Sequence, residues 1–253
     1  MDELSKKLNA CKTGCINGLM LLNHLMYADD LVILTPYSGG LQLLLEICSE
    51  YGIEFDIKYN AIKSTIMIIR SKYDKHTVFP SFILNGAALI ISVEVKYLGH
   101  FMTDDFRDDR DINRQCRKVY AQGNTLIRKF HMCTPDVKVS LFKTYCTPMY
   151  TAYLWWNYRK YSIRKLNVAY NDIMRLLLHL PRHHSASQLF ANVNVPGFQA
   201  VIRNLMFKFI TRLDKSENLI IRNLVKIGVS DLRFTSAIWK HWYKSLYVHF
   251  DNG

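Results

Sequence analysis

The sequence predicts an α+β chain in two parts, antiparallel hairpins with a packed helix followed by an all-α region. Three observations carry this. Up to about residue 105, short apolar runs alternate with turn-forming residues. Beyond about residue 110, apolar positions recur every three or four residues over long stretches. Between the two lies a charged cluster, Asp104 to Arg110. The chain therefore divides into a leader over residues 1–14, a hairpin-rich part over 15–105 and a helical part over 106–253.

In the hairpin-rich part, His24 to Tyr27 and Leu31 to Leu34 flank Ala28-Asp29-Asp30, which reads as two strands joined by a tight acidic turn. Leu41, Leu44, Leu45, Cys48 and Tyr51 line one side of a helix that Gly52 is expected to end. A strand over Thr65 to Ile69 follows the turn Asn60-Ala61-Ile62-Lys63. Phe82 to Leu84 and Ala88 to Ile91 flank Asn85-Gly86, a pair that tolerates positive φ and suits a hairpin turn. Val93 to Phe101 reads as one more strand.

The helical part begins with a helix from Asp111 to about Phe130. Thr134-Pro135-Asp136 has the composition of a helix start, with Thr to cap, Pro in the first turn and Asp toward the positive end of the dipole. Ser162 is expected to open a further helix, with Leu166, Ala169, Tyr170, Ile173, Leu177 and Leu180 on one face and Pro181 closing it. Phe198 to Leu213 has helical spacing, and two shorter helices are expected near residues 216–227 and 230–249.

Of 253 residues 49% are hydrophobic, enough for a sizeable core and against disorder. Lys and Arg number 33 against 21 Asp and Glu, a formal charge of +12, so the surface field attracts polyanions. The six cysteines lack paired metal-knuckle spacing and form no evident disulfide framework, which suits reduced thiols. Residues 1–9 carry Asp2, Glu3, Lys6 and Lys7 without an apolar stretch, so they are not read as a secretory signal. The most apolar stretch, Tyr145 to Trp156, is too short and too interrupted to cross a bilayer. A soluble, unsecreted chain of the nucleus or cytoplasm, with no membrane partner, is the resulting expectation.

Asp29 and Asp30 are the most informative pair for chemistry, because adjacent carboxylates on a rigid hairpin can hold hard divalent cations. An ordinary solvated turn has the same composition, so the dipeptide alone leaves both readings open. Arg114, Arg117, Lys118, Arg128 and Lys129 recur at helical spacing and form either a basic stripe along a nucleic-acid backbone or a solvated helix face. Trp155 and Trp156 sit among apolar neighbours and read as core, and His183 and His184 as surface residues.

Leu25 to Leu34, centred on Tyr27-Ala28-Asp29-Asp30, resembles the tyrosine-x-aspartate-aspartate hairpin of reverse transcriptases in the form found in non-LTR (LINE-type) retrotransposons. Gly52-Ile53 through Asn60-Ala61-Ile62-Lys63-Ser64 is similar to the next motif of that family's palm, and Val95-Lys96-Tyr97-Leu98-Gly99 to its primer-grip strand. Asp111 to Leu213, including Leu180-Pro181-Arg182, resembles the helical region after the palm. The resemblance implies a partial palm followed by an α-helical thumb with a C-terminal extension. It implies two-metal nucleotidyl transfer on Mg2+ or Mn2+, with Asp29 as principal ligand and Asp30 beside it. Tyr27 and Ala28 would lie at the primer terminus or incoming nucleotide, Lys63 would act as general acid toward pyrophosphate, and Tyr97, Leu98 and Gly99 would shape the primer grip. For Lys63 the residues alone also allow a solvated lysine at a strand start, and for Tyr97 they favour a structural aromatic in a strand. RNA template, DNA primer and deoxynucleoside triphosphates are the implied partners; the oligomeric state stays open.

The family also uses an aspartate on a palm strand upstream of this hairpin, yet only Asp2 and Glu3 precede Asp29 here. The fingers, and the endonuclease many such elements carry, are likewise expected upstream. These 253 residues alone are therefore not expected to polymerise, as for a truncated or decayed element or a single exon of one. A non-catalytic nucleic-acid-binding protein or a pseudogene product is the alternative.

Overall fold

Apolar runs of period two fold into hairpins and apolar positions of period near 3.6 into helices, in a computed structural model that describes residues 2–18, 20–70 and 78–230. The chain divides into two compact units, Met1–Val95 and Lys96–Gly253.

The first unit begins with α1 (Asp2–Ala10), which buries Leu4 and Leu8 completely, one helical turn apart. The stretch read as a leader is thus a packed helix that contributes to the core. Strands β1 (Cys15–Asn17) and β2 (Met20–Leu22) pair antiparallel, and so do β3 (His24–Tyr27) and β4 (Asp30–Ile33). Helix α2 (Ser38–Glu54) presents Leu44, Leu45, Cys48 and Tyr51 to Leu4 and Leu8. It runs two residues past Gly52, and its reversal falls to Asp56, in the left-handed region at φ 51°.

Strand β5 (Thr65–Ile66) is much shorter than the run to Ile69 suggested, because only two residues find a partner. That partner is β8 (Ile90–Ile91), in a parallel pairing. Strands β6 (Ile83–Leu84) and β7 (Ala87–Ala88) form the expected hairpin, with Asn85 and Gly86 both at positive φ. Phe82 and Leu84 close the core from this side.

The predicted strand Val93 to Phe101 is two strands, β9 (Glu94–Tyr97) and β10 (His100–Thr103), with Leu98 and Gly99 turning between them. Among the described residues the α-helices of the second unit are α3 (Asp109–Lys129), α4 (Pro135–Tyr145), α5 (Lys160–Leu177), α6 (Ala186–Asn192), α7 (Phe198–Asp214) and α8 (Leu219–Ser230). Thr134 precedes α4 in extended geometry without a side-chain cap. Ser162 lies inside α5, and that helix ends before Leu180 and Pro181. The further helix expected near 230–249 lies outside the described residues apart from its first position. Ile112, Cys116 and Val119 of α3 meet Leu166, Tyr170 and Ile173 of α5 in one core. The approach is close enough that a Cβ added at Gly123 would stand 2.4 Å from Ile173 Cγ2. Tyr170 packs edge-on to Phe142 and stacks on Phe190 while its hydroxyl donates to the Pro196 carbonyl at 2.9 Å.

Three aspartates at the start of α3 fasten the segment between α4 and α5. Asp108 accepts from the Trp156 and Asn157 amides at 2.8 and 2.7 Å, and Asp109 from the Arg159 amide and the Ser162 hydroxyl. Asp111 is fully buried and accepts from His100 Nδ1 (3.2 Å), the Phe101 amide, Arg114 Nε (2.8 Å), the Thr151 hydroxyl and Trp155 Nε1 (2.9 Å). Burial alone would raise its pKa, but the bonds from His100, Thr151, Trp155 and Arg114 outweigh it and hold the carboxyl well below its usual range.

A carboxylate with a depressed folded-state pKa contributes stability above its unfolded value, near 3.9, and loses it as pH falls toward the folded value. Asp111→Ala should destabilise the second unit by about 3–5 kcal/mol, since it leaves the half-buried Arg114 and the buried Thr151 and Trp155 donors without their shared acceptor. It should also flatten the acid limb of stability against pH, read by urea titration of the two proteins from neutral to acid pH.

Candidate active site

The β3–β4 hairpin pairs His24 with Ile33, Leu25 with Val32, Met26 with Leu31 and Tyr27 with Asp30, leaving Ala28 and Asp29 as its turn. Ala28 takes φ 53°, a left-handed value that lets a two-residue turn follow the strands' twist. Met26, Leu31 and Ile33 pack against the first unit's core and anchor the ribbon. Its tip faces solvent, with Tyr27 63% exposed and Ala28, Asp29 and Asp30 exposed beside it. Neither carboxylate has a hydrogen bond or ion pair among the described residues.

This donor set suits a hard divalent cation in chemistry, being anionic oxygen without a competing ammonium or guanidinium. It supplies only part of a coordination shell, and the remaining ligands of such an ion would come from water, phosphate oxygens or further carboxylates. Among the described residues no group of three His, Cys, Asp or Glu comes together for a metal.

The root of the hairpin is held by residues that the sequence reading did not single out. Asn23 is buried and its amide nitrogen donates to the Leu8 carbonyl at 2.6 Å, which orients Oδ1 toward His24. His24 Nδ1 donates to that oxygen at 2.7 Å, so Nε2 is left to accept from the Ser5 hydroxyl at 2.8 Å. The Asn23 carbonyl takes the Leu34 amide at 2.8 Å and closes the strand pair. A serine on a polar helix and an Asn-His pair beside a strand carry no pattern that announces this relay. Burial lowers the His24 pKa.

Lys63 lies in the same unit on a separate turn. The Asn60 side chain accepts the Lys63 amide at 3.1 Å and the Asn60 carbonyl accepts the Ser64 amide at 3.0 Å. The ammonium is exposed, and no bond or ion pair joins it to Asp29 or Asp30. Tyr97, Leu98 and Gly99 belong to the second unit. Leu98 at φ 45° and Gly99 at φ 82° form the β9–β10 turn, and Tyr97 is half-buried. A Cβ at Gly99 would stand 3.8 Å from the Tyr150 ring, an ordinary contact, so the backbone angle and not a close approach calls for glycine.

The α3 cations divide by face. Arg114 is half-buried, paired with Asp111 at 2.7 Å and in reach of Thr151, with its guanidinium over the Phe101 ring. Arg117, Arg128 and Lys129 are exposed and Lys118 half-exposed. Trp155 is buried, as its neighbours implied.

No protein-family model matches the chain. Over 235 residues, 88% of its length, it is 24% identical to the RNA-directed DNA polymerase from mobile element jockey of Drosophila funebris. It is 22% identical over 78% of its length to the jockey polymerase of Drosophila melanogaster. The chain is similar to jockey RNA-directed DNA polymerases over most of its length. It spans about a quarter of those proteins' length, 25% and 22% respectively. In this jockey-like chain no described helix is long and apolar enough to cross a membrane.

A histidine whose folded-state pKa lies below its unfolded value, near 6.5, favours the fold above that value and loses the contribution as pH falls through the folded one. Protonation puts a proton on Nε2 and removes the acceptor that Ser5 uses. Amide exchange at β3 should therefore accelerate as pH drops below about 6.5, after correction for intrinsic rates, and Ser5→Ala should blunt the change. Protection that is constant across that range would show that the relay does not hold the hairpin.

Proposed function

We propose that the chain contributes the acidic hairpin and the following helical region to an RNA-directed DNA polymerase of a jockey-like non-LTR retrotransposon. The observation that carries this is the Tyr27–Asp30 ribbon, a pinned two-residue turn that presents two adjacent unpaired carboxylates to solvent. The similarity to jockey polymerases across most of the chain supports it.

In this reading Asp29 is the principal ligand of a divalent cation, Mg2+ or Mn2+, and Asp30 a second or supporting one. The ion, when bound, supplies positive charge beside the primer 3′-hydroxyl and the departing pyrophosphate. Tyr27 and Ala28 lie against the primer end or the incoming nucleotide. Lys63 holds the proton that pyrophosphate takes up, and the Tyr97-Leu98-Gly99 turn fixes the primer strand. The template is RNA, the primer DNA and the substrates deoxynucleoside triphosphates. Residues 15–105 constitute part of a palm and 106–253 a thumb with its extension. A non-catalytic nucleic-acid-binding role is the second reading, favoured by the exposed cations of α3.

Two carboxylates give an incomplete site, so these 253 residues by themselves should extend no DNA primer on an RNA template in a labelled-primer assay. Metal binding can be tested without activity. With Fe2+ replacing Mg2+ under ascorbate and peroxide, backbone cleavage should concentrate near residues 27–30, diminish with excess Mg2+, and disappear in Asp29→Asn. Cleavage that ignores Asp29→Asn would defeat the metal assignment.

A further inference from the structure

Three of the six prolines follow a threonine, at Thr35-Pro36, Thr134-Pro135 and Thr147-Pro148. The fold treats the three hydroxyls differently. Thr35 is half-buried, donates to the Tyr37 carbonyl at 3.2 Å and accepts from the Tyr37 amide at 3.4 Å. Thr147 is half-buried and turns its hydroxyl to the Phe142 carbonyl at 3.5 Å. Thr134 is exposed, holds an extended conformation at φ −63° and ψ 157°, and makes no side-chain bond to cap α4. It ends the stretch between α3 and α4, in which His131 and Met132 are exposed as well.

Beside this acceptor lies a cation without an anion. Lys138, one helical turn along α4, is 5% exposed, and its ammonium donates to His179 Nε2 at 3.2 Å. No carboxylate pairs with it among the described residues. An ammonium has three donors, and a buried charge calls for an opposite one. Long side chains on a helix lean toward its N-terminus, which directs Lys138 over the turn that Thr134 opens. At the same end Pro135 has no amide hydrogen, and the Asp136 and Val137 amides precede the bond from the Lys138 amide to the Thr134 carbonyl.

We propose that Thr134 is a phosphorylation site for a proline-directed protein kinase, and that its phosphate is held by the N-terminus of α4 and by Lys138. In the reaction the Thr134 hydroxyl oxygen bonds to the γ-phosphorus of ATP, the bond from that phosphorus to the departing ADP breaks, and the hydroxyl proton passes to a base of the kinase. Pro135 fixes the backbone after the acceptor and leaves no amide there for the kinase to satisfy. The product carries a charge of about −2 at the helix end that favours anions. Asp136 opposes it from the first turn, and the Lys138 ammonium offsets that repulsion. The phosphate thereby fastens the α3–α4 connection to α4, as the uncapped threonine does not. This site and the polymerase reading stand or fall separately.

The 253-residue chain is to be treated with ATP and a proline-directed kinase, and the phosphate located by peptide mass spectrometry. It should appear at Thr134, vanish in Thr134→Ala and persist in Thr35→Ala and Thr147→Ala. Amide exchange across α4 should slow about 5-fold on phosphorylation of the unaltered chain, and about 1.5-fold or less in Lys138→Gln. Each protein is compared with its own unmodified form, so loosening by the substitution cancels, and Lys138→Arg, which keeps the charge, should retain the slowing. No incorporation, or incorporation at Thr35 or Thr147 instead, would overturn the site. Unchanged or faster exchange after phosphorylation at Thr134 would overturn the holding role of α4, and equal slowing in Lys138→Gln would overturn that of Lys138.

Discussion

The second unit depends on a buried negative charge. Asp111 could not remain ionised away from water without partners, and its donors come from β10, from α3 itself and from the segment after α4. Satisfying one carboxylate thereby fixes three parts of the chain. Asp108 and Asp109 extend the same logic, because they bind the backbone of residues 156, 157 and 159 and decide where α5 can begin. The two more deeply buried aspartates nevertheless differ. For Asp108, burial outweighs the Asn157 and Trp156 amides and raises the pKa, whereas Asp111 gains the Arg114 guanidinium and three side-chain donors and is lowered. As pH falls, Asp108 takes up its proton above the unfolded carboxylate range and sheds its penalty there, whereas Asp111 loses its stabilisation below that range, so acid acts on this cluster in both senses.

Much of the fold was legible where a local rule is strong. Two positive-φ residues at Asn85-Gly86, Pro135 at a helix start and the apolar stripe of α5 all depend on residues close in sequence. The errors fall where a distant partner takes over. Ser162 has the composition of a cap, yet its hydroxyl serves Asp109, 53 residues away. Leu98 sits inside an apolar run that reads as continuous strand, and the run breaks there because Leu98 and Gly99 both take positive φ. Helix α6, seven residues with Ser185 capping it, is too short for periodicity to reveal.

The candidate site divides along the same line. Tyr27 to Asp30 was readable because strand, turn and strand occupy ten consecutive residues. What holds that ribbon in place was not, since the Ser5, Asn23 and His24 relay joins three positions through side chains of ordinary surface type. A two-stranded ribbon is marginal in water by itself. Its rigidity comes from Met26, Leu31 and Ile33 beneath it and from this polar root, so the metal-binding geometry proposed for the tip is set by residues that touch neither metal nor substrate.

Helical phase separates two roles within the basic face of α3. Arg114 and Arg117 are three residues apart, near neighbours on the cylinder, yet the first is drawn toward Asp111 and Thr151 while the second opens onto a groove that it lines with Lys165. Sequence spacing treats them as equivalent members of one stripe, and net charge counts them alike. Their substitution would not be equivalent. Loss of Arg114 leaves a buried carboxylate without the guanidinium that pairs with it among the described residues, so a fall in nucleic-acid binding there would report a loosened fold. Loss of Arg117 removes a charge that pairs with no carboxylate among the described residues, so a fall in binding there would not trace to that buried cluster.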